Sequence, residues 1–308
     1  GGGLPWGLAF LLGLFTMPSV SDLFRTAAPL PAYNSLPGGT GWIRGESHRY
    51  VPLYESKIFN FFDHRFGDFL SRGDDRGYRV MPETPLKDYQ DPCFEPTPYF
   101  FVPFNSNLDQ LDDWDSKSWF FVYKDVTAST NERTSIFSAI PRVGIGNTAQ
   151  IIFTSRPPEL KVSLLCNLNS LVLDFTARTK VSGLHLTHGV LKQFPVLPPS
   201  AYSESDLAFI VPRVLELTYT SHSMAPFARD LGYEGAPFEW DEDRRAELRA
   251  ELDAWYALAY GLPRDELRYV LDPADGMGAD YPSETFRVLK SNEERKFGEY
   301  RTRRLVLT

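Results

Sequence analysis

Glu55-Ser-Lys57 is the first group of residues whose types and spacing could perform chemistry. It is the Glu-x-Lys half of a common metal-dependent nuclease site. Such a site needs a second acid on a neighbouring strand to hold a divalent cation, and Asp22 or Asp63 could supply it. Three-residue matches are frequent by chance, so a solvated or salt-bridged surface is the favoured interpretation, and a nuclease remains an alternative.

His64 is the second candidate, in the aromatic run FFDHRF (61–66). It could act as a general base, although a hydrogen-bonded structural histidine is favoured. The tetrapeptide DPCF (91–94) resembles only superficially the Pro-Pro-aromatic loop that grips a flipped base in amino-methyltransferases, because Cys93 replaces the second proline. VGIGN (143–147) lacks the third glycine of a dinucleotide loop.

No motif in the sequence forms a complete catalytic centre. Walker loops, clusters of metal-ligating His and Cys, and nucleophile elbows do not occur, so we expect no metal site. The two cysteines, Cys93 and Cys166, have no motif spacing, and this predicts a protein of a reducing, cytoplasmic interior without a disulfide framework.

The charge is unevenly distributed along the 308 residues, and this bears on possible partners. The whole chain carries −8. Residues 117–195 hold nine Lys/Arg against four Asp/Glu, a net charge of +5, which leaves −13 for the rest. Residues 287–304 hold seven against three. An acidic chain with a basic middle can hold a polyanion in one groove, while ordinary surface charge is an equal alternative.

Apolar runs predict the strands. SWFFVYKDV (118–126), TSIFSAIP and AQIIFTS each indicate a buried strand, and RVGIGN is a plausible hairpin connection between the last two. The N-terminal run LPWGLAFLLGLF is too short and too interrupted to span a bilayer, and it lacks the features of a signal peptide. We expect it to be a strand or linker that packs on another element.

Helical periodicity dominates later in the chain. Leu164, Leu168, Leu171 and Phe175 share one face of a helix predicted at about 160–178. A second helix begins at Asp241, a good N-cap, and ends at Gly261. A shorter helix covers 264–271. The fold class is therefore predicted as α+β, with a mixed α/β domain followed by a mainly helical C-terminal region and a seam near Pro198-Pro199.

Several segments together carry a family resemblance. Leu-Asn-Ser (168–170), DFTARTKVSG (174–183) and LKQFPVLPP (191–199) resemble the closing half of the DNA target-recognition domain in specificity subunits of type I restriction enzymes. More segments resemble single-chain type IIG-like adenine methyltransferases, in matching order. These are LFRT (23–26), YVPLYESKIFNFFDHRF (50–66), KDVTASTNERT (124–134), IPRVGIGN (140–147) and ETFRVLKSNEERKFGEYRTRRLVL (284–307).

The resemblance implies a domain order and a function. Residues 1–50 would be a connector from an absent catalytic domain, 51–200 the target-recognition domain and 201–308 a helical C-terminal region. In that family the S-adenosylmethionine loop and the Asn-Pro-Pro-Tyr-type loop lie N-terminal to these segments, and neither occurs here. The chain would thus recognise double-stranded DNA, without a cofactor of its own. A methyltransferase catalytic domain, in cis or in trans, would use S-adenosylmethionine to methylate adenine in a restriction-modification or phage-defence system, with other defence subunits as further partners and no membrane.

The resemblance also suggests which residues meet DNA, although it leaves two alternatives open. A second class of function is a stand-alone, non-catalytic DNA-binding specificity subunit. Arg178 and Lys180 would lie near phosphates, and Arg142 would read a base unless it pairs with Glu132. His185 and His188 could instead only pack the turn. The full set of predicted DNA-binding residues is Lys124, Asn131, Arg133, Arg142, Arg178, Lys180, Ser182, His185, Thr187 and His188.

Overall fold

The computed structural model describes residues 5–12, 24–26, 34–35, 42–44, 48–72, 81–103, 119–281 and 285–308. Some sequence expectations fall outside these ranges. One of them is Asp22, the possible second acid of the nuclease alternative. Asp109, Asp112, Asp113 and Asp115 also lie outside the described residues; because like charges repel, we expect these four carboxylates to lie away from DNA.

Ten strands and eleven α-helices lie within the described ranges, and the α+β class with a helical C-terminal region is confirmed. The strands are β1 Ala9–Leu12, β2 Arg25–Thr26, β3 Asn34–Ser35, β4 Trp42–Arg44, β5 His48–Tyr54, β6 Phe100–Pro103, β7 Trp119–Lys124, β8 Phe137–Pro141, β9 Gly144–Ile145 and β10 Ala149–Phe153. The helices are α1 Leu86–Tyr89, α2 Pro158–Asn169, α3 Leu171–Lys180, α4 His188–Leu191, α5 Glu204–Thr218, α6 Ala225–Asp230, α7 Glu242–Ala259, α8 Arg264–Leu271, α9 Pro273–Met277, α10 Arg287–Phe297 and α11 Arg301–Leu307.

The chain divides into two compact units whose segments alternate along the sequence. The first unit comprises Gly1–Asp125, Phe137–Lys161 and Val214–Trp240, and the second comprises Val126–Ile136, Val162–Arg213 and Asp241–Thr308. The predicted seam at Pro198-Pro199 lies within one segment of the second unit. The functional division at residues 50 and 200 stays a prediction.

A four-stranded antiparallel sheet in the first unit has the order β1-β10-β7-β8. The three predicted strands form it, and the N-terminal apolar run joins it as β1, with Ala9 opposite Phe153. Every residue of β8 and β10 is buried, which explains why their sequences are mostly apolar without a polar residue at every second position.

The predicted hairpin between β8 and β10 is wrong, because both strands pair with β7 and not with each other. Between them, Gly144 and Ile145 form β9, which pairs in parallel with β5 of the second sheet. A Cβ on Gly144 would lie 2.5 Å from Cγ2 of Val102 and 3.2 Å from the carbonyl oxygen of Pro52. Only glycine lets the backbone approach β5 this closely.

The second sheet of the first unit has the order β2-β6-β5-β4-β3, with β9 added on β5. Its central strand, β5, and strand β7 of the other sheet contribute to one apolar core. Burying such side chains is the main term that stabilises this unit. Fully buried members include Ile58, Phe59, Val102, Val122, Ile140 and Ile151.

The helix predicted at 160–178 is two helices, α2 and α3, which are bent by 60°. The break is at Ser170, whose backbone is extended and whose hydroxyl accepts the Leu173 N–H as an N-cap. The Leu171 N–H is satisfied by Oδ1 of Asp253 on α7, at 2.7 Å. A side chain from a distant helix therefore replaces the hydrogen bonds that a continuous helix would have made.

The other predicted helices agree closely with the structure. Oδ1 of Asp241 accepts the N–H groups of Asp243 and Arg244, and α7 begins at the next residue. Gly261 follows its C-terminus with φ +72°, a conformation that favours glycine. α8 covers the predicted residues, 264–271. These helices and α3 enclose the core of the second unit, which includes Leu171, Ala257, Leu271, Phe286 and Val306.

Within the described ranges, no single helix is long and apolar enough to cross a membrane. Taken together, α2 and α3 have the length and apolar composition of a membrane-spanning segment, but the two helices are bent by 60° relative to each other.

Candidate nucleic-acid interface

Arg178, in the last turn of α3, connects three segments of the second unit through one guanidinium group. Its side chain is only 8% exposed. The guanidinium lies over the ring of Phe286, with Cζ 4.6 Å from the ring centroid. Five acceptors surround it: the carbonyl oxygens of Ser129 (2.9 Å), Asn131 (3.0 Å), Glu132 (2.7 Å) and Thr285 (2.9 Å), and Oδ2 of Asp174 (3.3 Å).

This arrangement corrects the expectation that Arg178 meets a phosphate. These contacts direct the N–H groups of both Nη1 and Nη2 into the protein, and the Nε atom is buried as well. Burial lowers the pKa of Arg178, and the Asp174 carboxylate opposes that effect. We therefore assign Arg178 the role of positioning the backbone of residues 129–132.

Arg133 has a similar internal role, which corrects its prediction as a DNA contact. It is buried, its Nε lies 3.2 Å from Oδ2 of Asp174, and it donates to the carbonyl oxygen of Asn169. Asp174 is fully buried and its Oδ1 also accepts the backbone N–H groups of Thr134 (2.9 Å) and Ser135 (2.6 Å). One carboxylate thus forms ion pairs with two arginines and accepts two backbone N–H groups. A buried charge needs partners of this kind to offset its loss of hydration.

Two segments of the second unit lie side by side on this frame: residues 126–131 and 181–187, here called the recognition loops. Val126 pairs with His185 in an isolated antiparallel bridge. The Thr127 N–H donates to the Leu184 carbonyl at 3.0 Å, and the Thr127 hydroxyl donates to the carbonyl of Thr134 at 2.8 Å. The loops therefore have a fixed backbone even though neither belongs to a sheet.

Most of the predicted DNA-binding residues come together on or beside these loops. Asn131, Lys180, Ser182, His185 and Thr187 are exposed, and His188 is half-buried. The hydroxyl of Thr187 also accepts the Val190 N–H, which caps α4. Both alternatives for the two histidines, contact with DNA and packing of the turn, stay predictions.

Positive charge flanks the second recognition loop, at Lys180 and Lys192, whereas the acidic residues Asp125 and Glu132 flank the first. Residues 126–131 and 180–192 contain no Asp or Glu, whereas Lys180 and Lys192 are both present and exposed. Glu132 follows the first loop, and Oε2 of its carboxylate accepts a hydrogen bond from Nδ2 of Asn292 at 2.7 Å. This local composition favours an anionic partner although the chain as a whole is acidic.

Lys124 and Arg142 belong to the first unit and have aromatic neighbours. Nζ of Lys124 lies 5.3 Å from the ring centroid of Phe66, and burial lowers the pKa of this ammonium to about 8. Cζ of the half-buried Arg142 lies 5.7 Å from the ring centroid of Phe120. Base reading by Arg142 stays a prediction.

The FFDHRF motif forms a buried polar network in the first unit. His64 is fully buried, with Nε2 2.8 Å from Oγ of Ser221, which confirms the structural interpretation of this histidine. Arg65, also fully buried, donates to four backbone carbonyls: those of Tyr89 (2.9 Å), Asp91 (2.8 Å), Phe94 (3.2 Å) and Thr220 (3.0 Å).

The nuclease alternative gains no support from the geometry. Burial raises the pKa of Glu55, and Lys57 opposes this shift. The carboxylate of Asp63 accepts the hydroxyl of Tyr89 at 2.6 Å and the N–H of Arg65 at 2.8 Å. Among the residues that the structure describes, no group of three or more His, Cys, Asp or Glu side chains could hold a metal ion.

The sequence analysis missed Asp174 and Asp253, the two carboxylates that organise α3. In each helix the aspartate stands among the apolar residues of the buried face, which is a signal that could have identified it. A carboxylate is rarely buried in such a position unless it has partners. Burial raises the pKa of Asp253 to about 6, while Arg133 and the Leu171 N–H oppose this shift.

No family model, curated protein or solved structure matches the chain. The motifs in the sequence and the geometry of the recognition loops are therefore the features that bear on function.

Proposed function

We propose that this chain recognises a DNA sequence for a site-specific adenine DNA methyltransferase of a restriction-modification or phage-defence system. The observation that carries the proposal is the pair of recognition loops, which expose polar side chains, are held by Arg178, and have Lys180 and Lys192 on either side of the second loop. In the intact enzyme, S-adenosylmethionine would supply the methyl group to the exocyclic amine of adenine. The catalytic domain would act in cis or in trans, and a cytoplasmic location follows from the DNA substrate.

Sequence-specific binding needs donors and acceptors at fixed positions, because base edges are distinguished by the geometry of their hydrogen bonds. The recognition loops meet this need through contacts with a buried frame rather than through a sheet. The guanidinium of Arg178 holds the carbonyl groups of Ser129 and Asn131 in the first loop and of Glu132 just after it. The bridge between Val126 and His185 then fixes the second loop against the first.

The exposed side chains of the loops suit two separate tasks. Lys180 is a compact positive charge that can neutralise a phosphate without reading sequence. Asn131, Ser182 and His185 offer donors and acceptors of the kind that read base edges. A surface with one group for positioning and several for reading is what a target-recognition domain requires.

A salt titration of DNA binding tests this proposal. The full chain is expected to bind duplex DNA with an affinity that falls steeply with salt, because each neutralised phosphate releases counterions. Lys180→Ala should weaken binding to all sequences alike and reduce the salt slope by roughly one unit.

Lys296→Ala is the matched control for this experiment. Lys296 is an exposed lysine of the same unit, and its ammonium pairs with the carboxylate of Glu242 on α7. Both substitutions remove one positive charge, so a general charge effect would change both variants equally. An unchanged slope for Lys180→Ala, or equal changes in the two variants, would contradict the proposed interface.

A further inference from the structure

Two apolar side chains are exposed on the recognition loops. Leu184 is 66% exposed and Val126 is 45% exposed. Single exposed apolar residues are ordinary on protein surfaces, so their exposure alone carries no argument. What distinguishes these two is that they stand on neighbouring segments joined by backbone contacts, among side chains that can bind DNA.

Leu184 is presented from a fixed backbone. Its carbonyl accepts the Thr127 N–H at 3.0 Å, and the next residue, His185, is bridged to Val126. Leu186 is fully buried and anchors the segment in the second unit. On the other side, Gly183 has open space around it, with no atom within 4 Å of a Cβ built there. A partner can therefore approach the Leu184 side chain closely.

The charge around Leu184 identifies the kind of partner. The segment that carries Leu184, residues 180–192, contains Lys180 and Lys192 and no Asp or Glu, which favours a polyanion over an acidic protein surface. Asp125 and Glu132 flank the first loop and leave residues 126–131 themselves uncharged. The two loops lie side by side at the Val126–His185 bridge, and the major groove of B-DNA is wide enough to admit two such backbones. The apolar group exposed in that groove is the C5-methyl group of thymine.

Building on the proposed function, we propose that Leu184 reads one thymine of the target through van der Waals contact with its 5-methyl group in the major groove. Val126 supplies a second apolar surface on the adjoining segment. The contact adds discrimination that hydrogen bonds from Ser182 and His185 do not provide, since adenine, guanine and cytosine lack this methyl group.

The test begins with the full chain and a pool of randomised duplexes, from which wild-type protein enriches its target. Each thymine of the enriched duplex is then replaced in turn by deoxyuridine, which removes only the 5-methyl group. At one position this replacement should weaken wild-type binding about fourfold, the effect expected for one methyl-sized apolar contact. Leu184→Ala should weaken binding to the thymine duplex by a similar factor and bind both duplexes equally.

Leu258→Ala is the control, because Leu258 is an exposed leucine of the same unit on α7, at 76% exposure. It should keep both the wild-type affinity and the preference for thymine. Circular dichroism of both variants checks that they fold, which is expected for exposed positions.

The possible failures are distinguishable. If wild-type protein enriches a target but tolerates deoxyuridine at every position, or enriches one without thymine, the thymine contact is wrong while DNA recognition stands. The thymine contact is also wrong if Leu184→Ala loses the same affinity for the thymine duplex as for the deoxyuridine duplex. That result is expected if Leu184 instead inserts between base pairs and does not touch the 5-methyl group. If no sequence is enriched and the Lys180→Ala salt slope is unchanged, the proposed function fails as well.

Discussion

Arg178 and Asp174 form a buried ion pair one turn apart on α3, with Nη2 of the arginine 3.3 Å from Oδ2 of the aspartate. Nη1 and Nη2 of Arg178 also donate to the carbonyl groups of Ser129 and Asn131 in the first recognition loop and of Glu132 and Thr285 outside it. The other oxygen of Asp174 accepts the N–H groups of Thr134 and Ser135. Two side chains from one turn of α3 thus hold the backbone of residues 129–135: Arg178 binds its first part and Asp174 binds its last part.

Replacing Arg178 by methionine should lower the free energy of unfolding by about 3 kcal/mol, because it removes one partner of a buried charge network. Arg178→Lys should lose less, since it keeps the charge but offers fewer donors in another geometry. Urea unfolding measures both. Arg295→Met, at an exposed arginine of α10, is the control and should change stability by no more than about 1 kcal/mol. Equal losses at the two positions would refute the anchoring role.

The Gly144 contact gives a prediction for the first unit. Gly144→Ala should destabilise the protein by about 1–3 kcal/mol, because the new Cβ would overlap the side chain of Val102. Gly276 on α9 has open space around it, so Gly276→Ala should leave stability unchanged or raise it by up to about 1 kcal/mol. Thermal or urea unfolding compares the two. A neutral Gly144→Ala variant would be inconsistent with the parallel pairing of β9 and β5.

Glu95 should make stability depend on pH. Burial raises the pKa of its carboxyl group from 4.5 to about 7, although hydrogen bonds from Ser223 and Ser221 and the charge of Arg65 lower it. The folded state therefore holds this proton more tightly than the unfolded state does. The resulting stability is present in full below about pH 4.5 and is lost as the pH rises through about 7.

Urea unfolding at pH 5 and pH 8 measures this effect. The wild-type free energy of unfolding should fall by about 1–3 kcal/mol between these values. Glu95→Gln cannot ionise and should show a smaller fall. Part of the fall should persist in the variant, because the pKa of Asp253 is also raised, to about 6. Identical falls in the two proteins would show that Glu95 does not contribute.

The chain by itself should not bind S-adenosylmethionine, because its sequence contains no recognisable loop for the adenosine or methionine parts of that cofactor. Isothermal titration calorimetry with residues 1–308 should show no heat of binding. A micromolar dissociation constant would instead place a cofactor site within these residues and would overturn the assignment of catalysis to another domain.

The buried strands and the capped helices were predictable from local sequence. β7 is a continuous apolar run, and Asp241 and Gly261 mark the ends of α7 through their own backbone preferences. The pairing of β9 with β5 was not predictable in this way. It depends on the space left by a missing side chain at Gly144, beside residues that are remote in sequence.

The buried contacts that hold the candidate site could be predicted from the sequence only in part, for the same reason. The bend at Ser170 depends on Asp253, which lies 82 residues away, whereas the local sequence keeps its apolar period across the break. Arg178 was expected at a phosphate because a cation at a helix C-terminus is usually exposed. Its acceptors on Ser129 and Thr285 lie 49 and 107 residues away, so only the folded chain reveals its role.

Photo-crosslinking tests most directly whether the recognition loops contact DNA. Duplexes containing 5-iododeoxyuridine are irradiated with the full chain, and trypsin then releases the two loops as separate peptides, 125–133 and 181–192. Mass spectrometry should find the crosslinked nucleotide mainly on these two peptides, with less on 181–192 when Leu184 is replaced by alanine. Crosslinks confined to other peptides, with both loop peptides unmodified, would contradict the proposed interface.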